Sequence, residues 1–224
     1  MLFRSATVPR IITHGCSFTY GEELPDPAGQ SWPALVANKL GTDLINLGRP
    51  AYSNDTILRD LILQDLQGPP DRPDPDLVIV CWTSYLRLEF VDDVGLFSTL
   101  PSTKQIGRRK EVSDFILVHA DDKWLYSRWL TQVILLQEYL RGKHIKYLFF
   151  NAFDNYHQYD RYKKKFRSLI DRIDKTLFVG WPDQGMVEWA YPSPIGPRGH
   201  PLELGHQKVA DHLLENLKSI YDLG

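Results

Sequence analysis

The stretch RIITHGCSFTYG, residues 10–21, decides the fold of this chain. Its first five residues are mainly apolar and β-branched, which indicates a buried strand, and Gly15 breaks that strand just before Ser17. A serine hydroxyl is thereby placed at the carboxyl end of a strand, the edge at which open parallel sheets bind ligands. Ser17 is therefore a candidate functional residue. The alternative is that it only caps the turn that follows.

Three more apolar segments alternate with helical ones and complete the pattern of a parallel sheet. The strand-like segments are 43–47, 77–82 and 145–151. Helical spacing recurs in the stretches that begin near residues 32, 54, 125 and 203. Segments of this kind predict parallel strands covered on both faces. The expected fold is an α/β class, three-layer α/β/α sandwich with a short parallel sheet, in a single domain that spans residues 1–224.

Composition narrows the class of partner. The 224 residues carry a formal net charge of −2, whereas a nucleic-acid-binding domain is usually distinctly basic. The basic run 161–167 has aromatic residues at helical spacing, so it is expected to form a solvated helix face, with phosphate or nucleic-acid contact as the alternative. A small molecule or glycan is the expected partner, and no nucleic acid.

The cysteines and the N-terminus suggest a cytoplasmic protein. Cys16 and Cys81 stand in apolar contexts that favour packed, reduced thiols over a disulfide. The start of the chain does not resemble a signal peptide, and no run approaches the roughly 18 apolar residues of a membrane span. Neither metal-ligand spacing nor a glycine-rich phosphate loop is present, so no cofactor is expected.

Two irregular regions interrupt the alternation of strands and helices. Residues 85–123 are predicted to be an insertion that forms a lid or a subunit contact, through which a homo-oligomer could assemble. Residues 180–197 are rich in proline and glycine and contain Trp181, Trp189 and Tyr191. They either wall a pocket or pack against the body of the protein.

A histidine near the other end of the chain supplies the base that a serine nucleophile requires. His200 and Pro201 open the last predicted helix, and a serine hydroxyl is a poor nucleophile without such a base. His206 lies in the same helix and is expected to cap or pack. The remaining histidines have no comparable context.

In this pairing the chain resembles the SGNH, or GDSL-like, hydrolases. Gly15-Cys16-Ser17 resembles their Gly-Asp-Ser block with cysteine in place of aspartate. Asn46-Leu47-Gly48 resembles the second block, and His200-Pro201 the last. The motifs occur in the family's order over essentially the whole chain, and the resemblance implies the family's flavodoxin-like α/β/α fold.

The resemblance also implies roles for individual residues. Ser17 would attack an ester, and His200 would take its proton and later protonate the leaving group. The N–H groups of Ser17 and Gly48 would line an oxyanion hole, in which Ser84 takes the place of the family's asparagine. Loss of an oxyanion donor costs ~3 kcal/mol of transition-state stabilisation, so Ser84 weakens this expectation without removing it.

The SGNH hydrolases also have a catalytic acid, and this chain has no acidic residue at the corresponding position. In the family it precedes the histidine by two or three residues, where this chain has Pro197 and Arg198. Asp183 is the candidate that the order of segments favours, Asp154 is a second one, and a backbone carbonyl would also orient the ring. A dyad without an acid is the remaining alternative.

Two further polar residues are candidate substrate contacts. Asn54 follows the second block and could touch substrate, although helix capping also explains it. Arg87 could hold a substrate carboxylate or phosphate, or could form a structural ion pair with Glu89, two residues away on the same face.

Together these features predict a serine hydrolase that cleaves an ester through an acyl-Ser17 intermediate. The substrate would be a small-molecule or glycan ester, such as one with an O-acetyl or other short acyl group. An acyltransferase using the same serine and histidine is one alternative. A non-catalytic binding module on the same fold is another.

Overall fold

The computed structural model describes residues 10–66, 77–92, 95–99, 120–153 and 156–221. The strands are β1 Arg10–His14, β2 Asp43–Asn46, β3 Leu77–Trp82, β4 Leu88–Asp92, β5 Gly95–Thr99 and β6 Lys146–Asn151. The helices are α1 Ser17–Tyr20, α2 Pro27–Gln30, α3 Trp32–Leu40, α4 Asn54–Leu66, α5 Asp122–Gly142, α6 Tyr156–Tyr162, α7 Arg167–Ile170, α8 Met186–Ala190 and α9 Glu203–Tyr221.

The main sheet is parallel and has the order β2-β1-β3-β6. Ile12 of β1 aligns with Ile45 on one side and Val78 on the other, and Val80 of β3 aligns with Phe149 of β6. The carboxyl ends of the four strands therefore meet at one edge. The turn that begins at Gly15 leaves from the middle of that edge.

Helices cover both faces of the sheet because alternate residues of its central strands are apolar on each face. One face packs against α4 and α5 in a cluster that includes Val78, Val80, Trp82, Ile57 and Trp129. The other packs against α3 and α9 in a cluster that includes Ile79, Cys81, Val36 and Leu213. The predicted three-layer α/β/α sandwich is confirmed.

The ends of the helices follow the local sequence. Gly41 ends α3 in a left-handed conformation, with φ 63°. Ser53 accepts a hydrogen bond from the Thr56 N–H and so caps α4. The last helix begins at Glu203, as predicted, and ends at Tyr221.

The predicted insertion is described only in part. Its first residues form an antiparallel hairpin of β4 and β5, and its end at Asp122 and Lys123 belongs to α5. Residues 93–94 and 100–119 lie outside the described part of the chain. The lid or subunit contact stays a prediction, as does the homo-oligomer.

The other irregular segments are largely packed against the core. The Trp181 ring stacks on Trp129 with centroids 5.9 Å apart, and Trp189 lies 5.4 Å from Phe150, while Tyr191 is exposed. In the basic run the aromatic side chains turn inward and Lys163 to Lys165 are exposed. Both segments thus pack as expected, but the basic run is not one helix, because residues 163–166 form a turn between α6 and α7. Among the described residues, no helix combines the length and apolar character needed to cross a membrane.

Candidate active site

A tight turn at the end of β1 brings Ser17 to the start of α1. A Cβ atom at Gly15 would lie 2.8 Å from the Cys81 carbonyl oxygen, so no larger residue fits there without a shift. The Gly15 N–H donates to Nδ1 of buried His14 at 2.8 Å, which fixes the turn from the strand side. Ser17 itself is 7% exposed and lies at the carboxyl edge of the sheet.

His200 reaches Ser17 from a loop that hydrogen bonds within the loop itself stabilise. The Gly196 N–H donates to the His200 carbonyl oxygen at 2.8 Å, and Ile195 forms an antiparallel bridge with Pro201. The His200 ring packs against Phe18 with centroids 4.9 Å apart. Its Nε2 atom lies 2.9 Å from Ser17 Oγ. The two side chains that the sequence pairs across 183 positions are thus in hydrogen-bond contact.

The carboxylate on the other side of His200 belongs to Glu23. Glu23 Oε2 lies 2.8 Å from His200 Nδ1 and accepts the His200 backbone N–H at 3.2 Å. The Arg198 N–H donates to Oε1 at 2.9 Å. Burial opposes ionisation, but the hydrogen bonds from Arg198 and His200 outweigh it and hold the pKa of the Glu23 carboxyl below its usual value. Glu23 is therefore a charged acceptor for the Nδ1 proton.

The backbone at Glu23 is strained in a way that serves this contact. Glu23 has φ 73°, in the left-handed region that side chains other than glycine rarely adopt. Strain of this kind clusters at functional sites, where surrounding structure holds it in place. Here the amides of the loop 196–200 hold the carboxylate, and Gly196 leaves room for it, since a Cβ there would lie 2.6 Å from Glu23 Cδ.

Asp183, the acid that the sequence favoured, does not occupy this position. It is exposed in the turn between Gly180 and Gln184, and Glu23 holds His200 Nδ1 instead. Asp154 lies outside the described residues. Glu23 was missed because the resemblance directs attention to residues before the histidine. The signal available was the adjacent pair Glu22-Glu23 directly after the serine turn.

The expected oxyanion donors are present but differently engaged. Ser17 is the first residue of α1, so its N–H lacks an intrahelical acceptor. The Gly48 N–H donates to Asn46 Oδ1 at 3.0 Å, and Asn46 Nδ2 donates to the Thr19 carbonyl at 3.1 Å. The second block thus fastens the serine turn to β2. An oxyanion would have to share the Gly48 N–H with Asn46.

Ser84 and Asn54 are tied into the loop that follows β3. Ser84 Oγ accepts the Leu86 N–H at 3.3 Å. Asn54 is 1% exposed; its Oδ1 accepts the Thr83 N–H at 3.0 Å, and its Nδ2 donates to the Thr83 and Ser84 carbonyls. With both side-chain groups so bonded, Asn54 is placed as a structural residue. This corrects the expectation that it contacts substrate.

Arg87 likewise makes an internal contact. Its guanidinium donates to the Tyr52 carbonyl at 3.2 Å, which holds the loop before α4. Glu89 pairs with Arg59 of α4 and accepts from Thr56. The expected pairing of Arg87 with Glu89 is therefore wrong: the hairpin turns the carboxylate toward α4. Arg87 thus has a structural partner, and its contact with a substrate carboxylate or phosphate stays a prediction.

His206 is a buried, neutral histidine that caps a helix. It is 0% exposed, and its Nδ1 accepts the Trp32 N–H at the start of α3 at 3.0 Å. Burial, and secondly the charge of His200, lowers the pKa of His206 to about 4. The sequence predicted that His206 would cap a helix or pack in the core, and this geometry agrees with that prediction.

We predict that His206 makes the protein less stable in acid. In the unfolded chain the imidazole titrates near pH ~6.5, whereas in the folded chain it stays neutral until about pH 4. As the pH falls through this window only the unfolded state gains the proton, so the unfolding free energy falls by about 3 kcal/mol from this group. Urea unfolding at pH 7 and pH 4 measures the loss. His206→Asn keeps an acceptor for Trp32 and should lose about 3 kcal/mol less; an equal loss would refute this assignment.

Comparison with known proteins places this site in a family and a fold. A family model described as Family of unknown function (DUF6071) matches residues 26–219. The chain belongs to this DUF6071 family. The match includes His200 and begins after Ser17 and Glu23. No curated protein matches the sequence significantly.

Solved structures confirm the fold of this DUF6071 protein at low sequence identity. The psychrotrophic esterase EstA from Pseudoalteromonas sp. is 15% identical with a TM-score of 0.55, and the match covers 95% of this chain and 98% of that one. A member of the lipolytic protein G-D-S-L family from Veillonella parvula DSM 2008 is 13% identical with a TM-score of 0.51, over 96% and 99%. The acetyl xylan esterase Est2A from Butyrivibrio proteoclasticus is 13% identical with a TM-score of 0.55, over 96% and 65%. This chain therefore has the SGNH/GDSL hydrolase fold, with a sequence that differs strongly from those of these structures.

Proposed function

We propose that this protein is a serine-dependent ester hydrolase with Ser17, His200 and Glu23 as its triad. The observation that carries the proposal is the continuous hydrogen-bonded chain from Ser17 Oγ through both ring nitrogens of His200 to Glu23 Oε2, with contacts of 2.9 and 2.8 Å. An esterase needs this order of groups because the serine requires a base and the base requires an orienting acceptor. The esterases among the structural neighbours support the same reaction class.

In the first half of the reaction Ser17 Oγ attacks the ester carbonyl carbon and its proton passes to His200 Nε2. The carbonyl oxygen becomes an oxyanion, for which the Ser17 N–H at the start of α1 is a donor, with Gly48 and Ser84 as further donors. When the intermediate collapses, the bond to the alcohol oxygen breaks. Nε2 returns the proton to that oxygen, and the products are a free alcohol and acyl-Ser17.

In the second half a water molecule replaces the alcohol. His200 Nε2 takes one proton from the water as its oxygen attacks the acyl carbon, and returns a proton to Ser17 Oγ as the acid leaves. Glu23 keeps the proton of the neutral ring on Nδ1, so that Nε2 is free to accept. Its charge also stabilises the imidazolium that forms in both halves.

A panel of esters tests the proposal. It would contain acetyl, butyryl and octanoyl esters of p-nitrophenol together with acetylated sugars, and acid release would be measured in a pH-stat. Hydrolysis of at least one ester by the wild type, lost in Ser17→Ala, is expected. Transfer of the acyl group to an added alcohol with no hydrolysis would assign an acyltransferase. An intact protein that cleaves none of them would be a binding module and would overturn the proposal.

We predict that Gly196→Ala lowers activity by moving Glu23. The added Cβ would lie 2.6 Å from Glu23 Cδ, so the carboxyl has to shift from its place beside His200, and a misplacement of this kind costs about a hundredfold in rate. Gly142→Ala is the matched control, because a Cβ there meets nothing within 4 Å. The measurement is kcat/KM on the best ester of the panel, with thermal unfolding to verify folding. Unchanged kcat/KM in Gly196→Ala would show that the placement of Glu23 is unimportant.

A further inference from the structure

A second carboxylate faces the same histidine from the side of the nucleophile. Glu22 Oε2 lies 3.6 Å from His200 Nε2, the nitrogen that contacts Ser17 Oγ. Glu22 therefore stands at the reacting nitrogen, whereas Glu23 stands behind the ring. The triad that we propose does not use Glu22.

The backbone explains how consecutive residues reach opposite nitrogens of one ring. The left-handed conformation of Glu23, with φ 73°, turns the chain sharply after Glu22. The Glu22 N–H donates to the Ser17 carbonyl at 3.1 Å, which ties Glu22 to the serine turn. Both carboxylates can then approach His200 from a single bend.

Arg198 anchors one oxygen of Glu22 and leaves the other directed at the site. Its Nη1 donates to Glu22 Oε1 at 2.6 Å, while Oε2 is the atom next to His200. The side chain of Glu22 is 21% exposed and that of Arg198 is 72% exposed. The pair is thus at the mouth of the site, where a substrate arrives, and Arg198 balances the charge of the carboxylate.

We infer that Glu22 selects esters whose alcohol carries a free hydroxyl next to the ester oxygen. This inference rests on the proposed function, in which Nε2 gives its proton to the departing alcohol oxygen. That oxygen must then lie within hydrogen-bond distance of Nε2, and the neighbouring atom of the alcohol comes close to Glu22 Oε2. A carboxylate only accepts hydrogen bonds, so it favours a donor at that place.

The geometry fits a vicinal diol. Its two oxygens are separated by about the length of a hydrogen bond, so one can receive the proton from Nε2 while the other donates to Oε2, ~2.7 Å away. His200 Nε2 and Glu22 Oε2 are 3.6 Å apart, so the two alcohol oxygens can each bond to one of them at the same time. Because Arg198 already balances the charge of Glu22, a neutral hydroxyl fits better than a cation. Partly acylated sugars and polyols have this chemistry.

A matched pair of esters tests the inference. The 2-hydroxyethyl ester and the 2-methoxyethyl ester are made with the acyl group that the panel shows to be best. They differ at one position, where a methyl group replaces the hydroxyl hydrogen, and they give the same acyl-enzyme, so the ratio of their kcat/KM values reports the leaving-group site. We expect the wild type to prefer the hydroxyethyl ester by about tenfold or more, the effect of one hydrogen bond to a charged group.

The variants assign that preference to Glu22. Glu22→Leu should bring the ratio to about one, and Glu22→Gln, which keeps a neutral acceptor oxygen, should give an intermediate ratio. Glu215→Gln, at an exposed position on α9, should keep the wild-type ratio. Ser17-dependent cleavage of both esters with no preference in the wild type, or with the preference kept in Glu22→Leu, would overturn this inference alone. Absence of any Ser17-dependent ester cleavage would overturn the proposed function itself.

Discussion

Replacing Ser17 with alanine is expected to lower kcat/KM for ester hydrolysis by about 10⁴-fold or more, because the acyl-enzyme can no longer form. His200→Ala should lower it by a similar factor. The double variant should be no worse than either single one, since the two residues act as one unit. The measurement is the initial rate of acid release from the best ester of the panel, at saturating and at low substrate.

The result depends on the variants being folded. Ser17 is small and nearly buried, so alanine leaves the packing of the turn in place. Ser127→Ala is the control, because Ser127 is half-buried on α5 and donates to the Trp124 carbonyl. Residual activity of Ser17→Ala within tenfold of this control would contradict the covalent mechanism.

Replacing Glu23 with glutamine should cost about 10³- to 10⁴-fold in kcat. The Glu23 oxygens accept the amides of Arg198 and His200 and face the ring nitrogen. An amide must turn its NH₂ group toward one of these donors. The charge that stabilises the imidazolium is lost at the same time, and an equivalent change in a serine protease triad costs about 10⁴-fold.

Asp183→Asn is the matched control for this prediction. Asp183 is the acid that the order of segments favoured, yet it lies exposed in the turn after Gly180. We expect its kcat to stay within about twofold of the wild type. Loss of activity in Asp183→Asn together with full activity in Glu23→Gln would instead assign the acid to Asp183.

The fold could be predicted because its determinants are local. Each determinant is recognised from a few neighbouring residues, as with the apolar strands, Gly41 after α3 and Ser53 before α4. The position of Ser17 follows from a strand that ends at a glycine. The hairpin after β3 was not predicted, because its strands Leu88–Asp92 and Gly95–Thr99 lie in the region 85–123, whose composition indicated an irregular insertion.

The site could be predicted only where a motif marks a residue. Ser17 and His200 stand in short motifs with a chemical reason for each neighbour. Glu23 is marked by nothing but its place after Glu22, and its contact with His200 depends on a left-handed backbone and on space at Gly196. Both are properties of the folded loops, which spacing along the chain does not encode.

Asn54 illustrates the opposite error. It is a polar residue near the expected pocket, and it is used internally, with hydrogen bonds to Thr83 and Ser84. Loops at the carboxyl edge of a sheet contain many backbone groups that need partners. Polar side chains there can hold loops as well as ligands, and the sequence does not separate the two uses.

The most direct test of the account is covalent labelling with a fluorophosphonate, followed by mass spectrometry of the intact protein and of its peptides. This reagent phosphonylates a serine hydroxyl that an adjacent base activates. We predict a single adduct on Ser17, absent from Ser17→Ala and formed far more slowly in His200→Ala and Glu23→Gln. An adduct on another residue, or no adduct on a folded protein that hydrolyses esters, would contradict the assignment of Ser17 as the nucleophile.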